Sequence, residues 1–268
     1  MTLYEALNID LNIPELIGIV GAGGKTSTMF RLAQELKALG KKVLVTTTTN
    51  LAFSETSQAD RVIFDSSKDI FFLSRVEAGT IACLGSGMLN DNGKLRGVGR
   101  ELIDDIYQKH LFDYIVVEAD GSKRRPIKAP AHYEPVIPGE TTRVIGVIGL
   151  DALGKTITDE YVHRPNLFCS ITGKKMGETI DRKCLTDLIL SEDGLFKDVP
   201  ERSRKYVVFN KADHTDQEQE ARMTVQELIQ MQAPIHGFII AATTNRCIYA
   251  SGRVKRNSKL GNPSSKQV

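Results

Sequence analysis

A chain of 268 residues, 41% apolar and 25% charged, is long enough to bury a full core as one large α/β domain or as a domain with an insertion. A net charge of +2, sparse aromatics and the lack of Trp exclude a chain-wide nucleic-acid footprint and a base-stacking surface. Cys83, Cys169, Cys184 and Cys247 are scattered with no C-x-x-C pair, which excludes a disulfide framework and a structural zinc site and fits free thiols in a reducing compartment.

Residues 3–9 read as a short helix carrying Glu5, without the basic start and apolar stretch of a signal peptide. No apolar run approaches the ~20 residues that cross a bilayer. The chain is therefore expected to be cytoplasmic, with neither membrane nor nucleic acid among its partners.

Leu16 to Val20 is a short apolar run, read as a buried strand. It breaks into Gly21-Ala22-Gly23-Gly24 and continues as Lys25, Thr26 and Ser27. Met29, Phe30, Ala33, Leu36 and Leu39 then recur at helical spacing up to a stop near Gly40. Strand, glycine turn, Lys-Thr and helix together predict a phosphate loop. Glycines let backbone N–H groups turn toward phosphate oxygens, and the helix N-terminus adds partial positive charge. Lys25 is expected to reach the β- and γ-phosphates, and the Thr26 hydroxyl to ligate Mg²⁺. The spacing is G-x-x-G-K-T-S rather than G-x-x-x-x-G-K-[ST], since Ile19 stands where the first glycine would be. This shorter loop leaves the nucleotide open and is similar to loops in ATP-dependent amide ligases of the Mur type.

Val43 to Thr49 is a second strand ending in threonines. In an open parallel sheet ligands sit at the carboxyl ends of strands, so Thr48 and Thr49 stand either for a γ-phosphate or Mg²⁺ contact or for simple β-propensity. Residues 61–64 and 80–84 read as further strands, 70–76 and 99–111 as helices, and 87–97 as a small hairpin. Phe112 to Val117 then leads into Glu118-Ala-Asp120-Gly121, a buried strand that delivers carboxylates at its end. Beside a phosphate loop this is where a metal-holding carboxylate is expected. Asp120 has the favoured register for Mg²⁺; Glu118 is the second candidate, for metal or for water activation.

Residues 122–138 hold Lys123, Arg124, Arg125 and Lys128 among several prolines, which rules out a helix or central strand. The expectation is an ordered lid or partner loop. Residues 143–150 form another buried strand ending in Asp151. His163 and Arg164 precede Pro165 and read as loop. A helix is expected from about Asp181 to Leu190. Lys205 to Phe209 leads into Asn210-Lys211-Ala212-Asp213, an N-K-x-D pattern. A carboxylate at Asp213 can accept both N1–H and the 2-amino group of guanine, which adenine lacks. Lys211 would cover the base and Asn210 brace the site. A helix over about 216–231 and a strand over 235–244 follow. Its Ala241-Ala242 stands where guanine-nucleotide proteins often close over the base with a backbone N–H. Residues 251–268 are polar and basic, as in a disordered tail.

Several of these segments resemble one family: Gly21 to Thr26, Val45 to Thr49, Glu118 to Gly121, Lys128 to Pro130 with His132 and Glu134 to Pro138, Gly149 to Gly154, Val162 to Pro165 and Asn210 to Asp213. Together they resemble the YqeC family, described as accessory proteins of selenium-dependent molybdenum hydroxylases or selenium cofactor biosynthesis proteins. The resemblance runs from about residue 14 to 245, and its most specific parts are the proline-rich segment and His-Arg-Pro. It implies site roles for His132, Glu134, Asp151, His163 and Arg164, and draws in Lys128. Ser122-Lys-Arg-Arg125 departs from the family's shorter basic content there.

The reading is an α/β, P-loop NTPase-like fold with a mostly parallel sheet flanked by helices and an inserted mixed segment. Residues 1–121 and 205–250 are expected to form the nucleotide-binding domain. Residues 122–204 would supply the basic loop, one core strand (143–150) and an inserted subdomain. The expected ligands are GTP, with ATP as alternative, and Mg²⁺. Lys25, Glu118 and Asp120 are the candidate catalytic groups. Gly21, Gly23, Gly24, Lys25, Thr26, Ser27, Asn210, Lys211 and Asp213 would bind the nucleotide, with Thr26 and Asp120 on the metal. The resemblance implies a selenium-dependent molybdenum hydroxylase, or its cofactor-maturation machinery, as partner; a homodimer across the nucleotide would suit the class. An ATP-dependent ligase or kinase, or a non-catalytic nucleotide-gated binding module, are the competing readings.

Overall fold

Val43, Leu44 and Val45, like Ile145, Val147 and Ile148 around Gly146, carry no polar side chain, which suits strands buried on both faces. The computed structural model describes residues 1–65, 70–89, 93–242 and 247–254. The chain opens with helix α1 (Leu3–Ala6), capped reciprocally by Thr2 and Glu5, and strand β1 (Glu15–Gly21). Helix α2 (Lys25–Ala38), strand β2 (Val43–Thr47) and the short strand β3 (Asn50–Ala52) follow. Next come β4 (Arg61–Phe64), β5 (Ile81–Gly85), β6 (Gly87–Leu89), β7 (Lys94–Arg96) and helix α3 (Arg100–Gln108). The central stretch holds β8 (Tyr114–Glu118), β9 (Ile127–Lys128), β10 (Arg143–Gly149) and β11 (Val162–His163). Helices α4 (Pro165–Thr172) and α5 (Arg182–Leu190), strand β12 (Arg204–Asn210), helix α6 (Thr215–Gln230), and strands β13 (Gly237–Ala241) and β14 (Ile248–Arg253) complete it.

Nine strands form one sheet in the order β14-β13-β12-β10-β1-β8-β2-β5-β4, parallel except for β14. The glycine strand β1 is central, between β10 and the carboxylate strand β8. Successive side chains alternate between two cores. Ile17, Ile19, Tyr114, Val116, Ile145, Val147 and Val208 pack with α1 and α2 on one face. On the other, Val20, Val144, Ile148, Val207 and Phe209 pack with α4, α5 and α6, while Leu16, Ile115 and Val117 pack with α3. This is the P-loop NTPase-like α/β architecture that the sequence predicts.

The expected hairpin over 87–97 is present as β6 and β7, joined by β3 into a separate three-stranded antiparallel sheet. Two findings depart from expectation. The polar segment assigned to a tail from residue 251 instead continues β14 to Arg253, paired antiparallel with β13; its small residues carry no hydrophobic alternation to announce an edge strand. His163 is not loop but pairs in β11 with β9. Helix α4 begins directly at Pro165, which suits its first position. The remaining tail from residue 255, residues 91–92 and Thr243-Thr244 lie outside the described residues. Among the described residues no helix is long and apolar enough to cross a membrane.

Candidate nucleotide site

The carboxyl ends of the parallel strands carry the chemistry. Gly21, Gly23 and Gly24 all have positive φ, which bends the chain tightly between β1 and α2. A Cβ on Gly23 would sit 2.3 Å from the backbone nitrogen of Gly149, and one on Gly24 would sit 2.1 Å from the Asn210 amide. The loop is thus wedged between the ends of β10 and β12. Asn210 Nδ2 donates to the Gly23 carbonyl at 2.7 Å. Gly24 caps α2 without a side-chain acceptor, so no side chain competes for the first-turn N–H groups.

Lys25 is buried and folds back over this loop. Its Nζ donates to the Gly21 carbonyl at 2.8 Å, and stands 3.1 Å from Asp120 Oδ1 and 3.6 Å from Glu118 Oε1. Burial works against its charge, but Asp120 and Glu118 outweigh burial and hold its pKa above the ordinary lysine value. Burial, opposed by Lys25 and a hydrogen bond from Thr26, leaves the Glu118 carboxyl raised.

The two carboxylates have different tasks. Thr26 Oγ1 donates to Glu118 Oε2 at 2.7 Å. Asp120, ahead of Glu118 on register reasoning, is engaged elsewhere: Oδ2 accepts from the Gly21 N–H at 3.0 Å and lies 2.9 Å from Lys128 Nζ. The reason is the strand period. Tyr114, Val116 and Glu118 share the face on which α2 packs, so Glu118 meets the first turn of α2. Asp120 lies beyond the strand end, free of that alternation.

Lys128 continues the charge pattern inward. Its Nζ donates to the Gly121 carbonyl at 2.8 Å and to Glu134 Oε2 at 2.7 Å. Arg164, at φ 66°, grips both oxygens of Glu134, one at 3.0 Å, and touches the Tyr133 hydroxyl. Burial raises the Glu134 pKa, but bonds from Arg164 and Lys128 overcome it and hold the carboxyl below its usual range. An alternating row thus runs from the glycine loop to Arg164: Lys25, Asp120, Lys128, Glu134, Arg164.

His163 sits beside this row. Burial, then the Arg164 and Lys128 charges, push its pKa down to about 4. A histidine with a depressed folded pKa binds fewer protons folded than unfolded, so stability is complete above the unfolded value of ~6.5 and falls as pH drops toward 4. Unfolding at pH 5 is expected to take up about one proton at this site. His163→Gln should flatten the pH dependence of thermal stability between pH 7 and 5. An unchanged slope would show that the ring does not feel those cations.

The other expected residues are distributed as follows. Thr49 lines the main cavity, whereas the Thr48 hydroxyl donates to the Val136 carbonyl at 2.8 Å. Lys211, at φ 60°, pairs with Asp151 at 2.7 Å. Asp213 is exposed, and its N–H donates to Gln217. His132 lies apart, on the rim of a separate 380 Å³ cavity with Leu167 and Lys197. The Ala242 N–H donates to the Cys247 carbonyl, so it is not turned toward a base. The main cavity, about 670 Å³, is lined by Gly23 to Ser27, Glu118, Lys211 and the 121–125 segment. It also takes in Glu55 and Lys94, which no motif marks in the sequence. A smaller 210 Å³ cavity lies by Ser27, Arg31, Asn210, Ala241 and Ala242.

Hard oxygens from Thr26 and Glu118, 2.7 Å apart at the loop mouth, fit a Mg²⁺ ion, which takes few protein ligands and completes its shell with phosphate and water. Among the described residues no cluster of His, Cys, Asp and Glu of the kind that cages a metal by itself occurs.

The family model described as YqeC protein matches residues 17–166. A protein of Escherichia coli (strain K12) named YqeC is 39% identical over 210 residues, spanning 77% of this chain and 81% of that one. Of solved structures, the MinC:MinD cell division protein complex of Aquifex aeolicus aligns with a TM-score of 0.44 at 15% identity, over 84% of this chain and 81% of that one. Chloroplast FtsY of Physcomitrella patens aligns with a TM-score of 0.33 at 16% identity, over 87% and 51%. With its glycine loop, its carboxylate strand and its Val-His-Arg-Pro all inside the matched span, the chain belongs to the YqeC family.

Proposed function

We propose that this protein binds Mg²⁺ and GTP, hydrolyses the nucleotide slowly, and uses it as an accessory factor in maturing or delivering the cofactor of selenium-dependent molybdenum hydroxylases. The observation that carries the nucleotide reading is the meeting of Lys25, Thr26 and Glu118 at the mouth of an uncapped helix N-terminus in one large cavity. The hydroxylase pathway rests on the family resemblance alone.

In this reading the backbone of Gly21 to Thr26 wraps the phosphates. Lys25 exchanges the Gly21 carbonyl for phosphate oxygens. Thr26 and Glu118 hold the metal, which supplies charge neutralisation for phosphoryl transfer. Asp120 keeps the Gly21 N–H and Lys128 in place, and so sets the loop rather than touching the metal. Asn210 fixes the loop to the base side, with the small cavity at Ala241 and Ala242 beside it. Asp213, in the exposed segment after β12, would accept from guanine.

The test is titration with GTP and ATP in Mg²⁺, for the natural chain and for Asp213→Ala. The natural chain should prefer GTP by at least about a hundredfold, and Asp213→Ala should lose that preference while leaving ATP affinity unchanged. If ATP binds more tightly, or the ratio survives the substitution, the guanine assignment is wrong and the short loop points instead to an ATP-dependent ligase or kinase.

A further inference from the structure

The segment after the carboxylate strand is a tight turn with unusual occupants. Arg125 N–H donates to the Ser122 carbonyl at 2.9 Å, and the two central residues, Lys123 and Arg124, have φ of 48° and 61°. Positive φ at both centres makes a primed turn, where Asn-Gly is preferred. Long side chains are disfavoured there, because Cβ crowds the following carbonyl oxygen. Packing does not explain the choice, because both residues are exposed.

The turn is also held at both ends. Lys128 Nζ donates to the Gly121 carbonyl, and the Pro126 carbonyl accepts from Gly149 N–H at 2.9 Å. A Cβ on Gly23 would lie 2.6 Å from that same Pro126 oxygen, so the turn is set directly against the glycine loop. Lys123, Arg124 and Arg125 line the main cavity, and Lys94 lines it from the small antiparallel sheet. Among the described residues these four cations form no ion pair, whereas Lys25, Lys128 and Lys211 all do.

Strand order separates this cluster from the base. Asn210 ends β12 with Lys211 to Asp213 after it, and Ala241 ends β13, on one side of β1; the basic turn follows β8, and Asn50 to Ala52 follow β2, on the other. A nucleotide with its base beside Asn210 points its terminal phosphate toward the cations.

We propose that the Ser122–Arg125 turn, with Lys94 opposite, is a preorganised site for a second, phosphate-type oxyanion ligand, held next to the terminal phosphate of the bound nucleotide. Arginine forks match the geometry of such groups, and a turn already in place loses little freedom on binding. The inference rests on the phosphate-loop reading above.

Saturate the protein with a fluorescent, non-hydrolysable GTP analogue in excess Mg²⁺, then titrate inorganic pyrophosphate by calorimetry. One binding event is expected while the fluorescence shows the nucleotide retained. The double variant Lys123→Asn/Arg124→Gly keeps the turn in the sequence it prefers, so it should be at least as stable as the natural chain. It should weaken pyrophosphate at least tenfold while moving the affinity for the analogue less than threefold. Absence of a second event, or displacement of the analogue, overturns the inference. Equal weakening of analogue and pyrophosphate also overturns it and assigns the cations to the nucleotide itself. Failure of the natural chain to take up the analogue would show before any pyrophosphate is added; it would overturn the phosphate-loop reading and this inference with it.

Discussion

Lys25→Ala is expected to weaken nucleotide binding by a factor on the order of 100 to 1000. An ammonium bridging two phosphates makes charge-assisted bonds of about 1.5–3 kcal/mol each, and an alanine methyl makes none of them. The substitution also acts on the empty protein, because Lys25 lies between Glu118 and Asp120. Asp120 keeps Lys128, but Glu118 loses its cation, and its already raised pKa rises further. A carboxyl with a raised folded pKa holds its proton more tightly when folded. The stability deficit of Lys25→Ala should therefore shrink on acidification, as measured by thermal unfolding at pH 5 against pH 8. Affinity within about threefold of the natural chain would sink the phosphate-loop reading.

Arg143→Met should be the most damaging single change away from the site, costing about 3–5 kcal/mol. Arg143 is fully buried at the start of β10, at the amino-terminal end of the strands, opposite the cavity. Its guanidinium donates to both oxygens of Glu15, at 2.6 and 2.7 Å, and to the Leu7 carbonyl at 2.7 Å, and it stacks over Tyr206. Removing it strands a buried carboxylate and an acceptor at the end of α1. Burial works against the arginine charge, but Glu15 more than offsets it and raises the pKa, so no neutral escape exists on that side. The double variant Arg143→Met/Glu15→Leu should recover much of the loss in denaturant unfolding, since an apolar pair of similar volume replaces an ion pair at little net cost. A single variant losing under about 1 kcal/mol would show that the pair contributes only packing.

The central strands were legible because burial on both faces leaves unbroken apolar runs, and the glycine loop because Lys-Thr after Gly-Gly has no packing explanation. The strand-end position of Asn210 was legible, since an unbroken apolar run leads into it. Glu118 against Asp120 was decidable in principle: Tyr114, Val116 and Glu118 alternate onto one face, but which face carries α2 is a tertiary fact. The partners of Lys128 were not legible. Asp120 and Glu134 reach it through a proline-rich stretch with no period to read. Strand β14 escaped because Ala250, Ser251 and Gly252 offer no alternation, and its pairing is backbone against β13. Lys94 and Glu55 reach the cavity only because the small sheet folds over it.

The row from Lys25 to Arg164, with Glu118 at its inner end, holds three cations and three carboxylates, each touching a neighbour of opposite sign. Such a row constrains how the sequence can drift. Losing or inverting one member leaves a charge without its partner among largely buried neighbours. Viable changes must come as adjacent pairs, Asp120 with Lys128 or Glu134 with Arg164. The same substitution is then neutral in a relative that already carries the matching change and ruinous in one that does not. Among relatives, these positions should travel together through descent, although Lys25 and Arg164 stand more than a hundred residues apart in the chain.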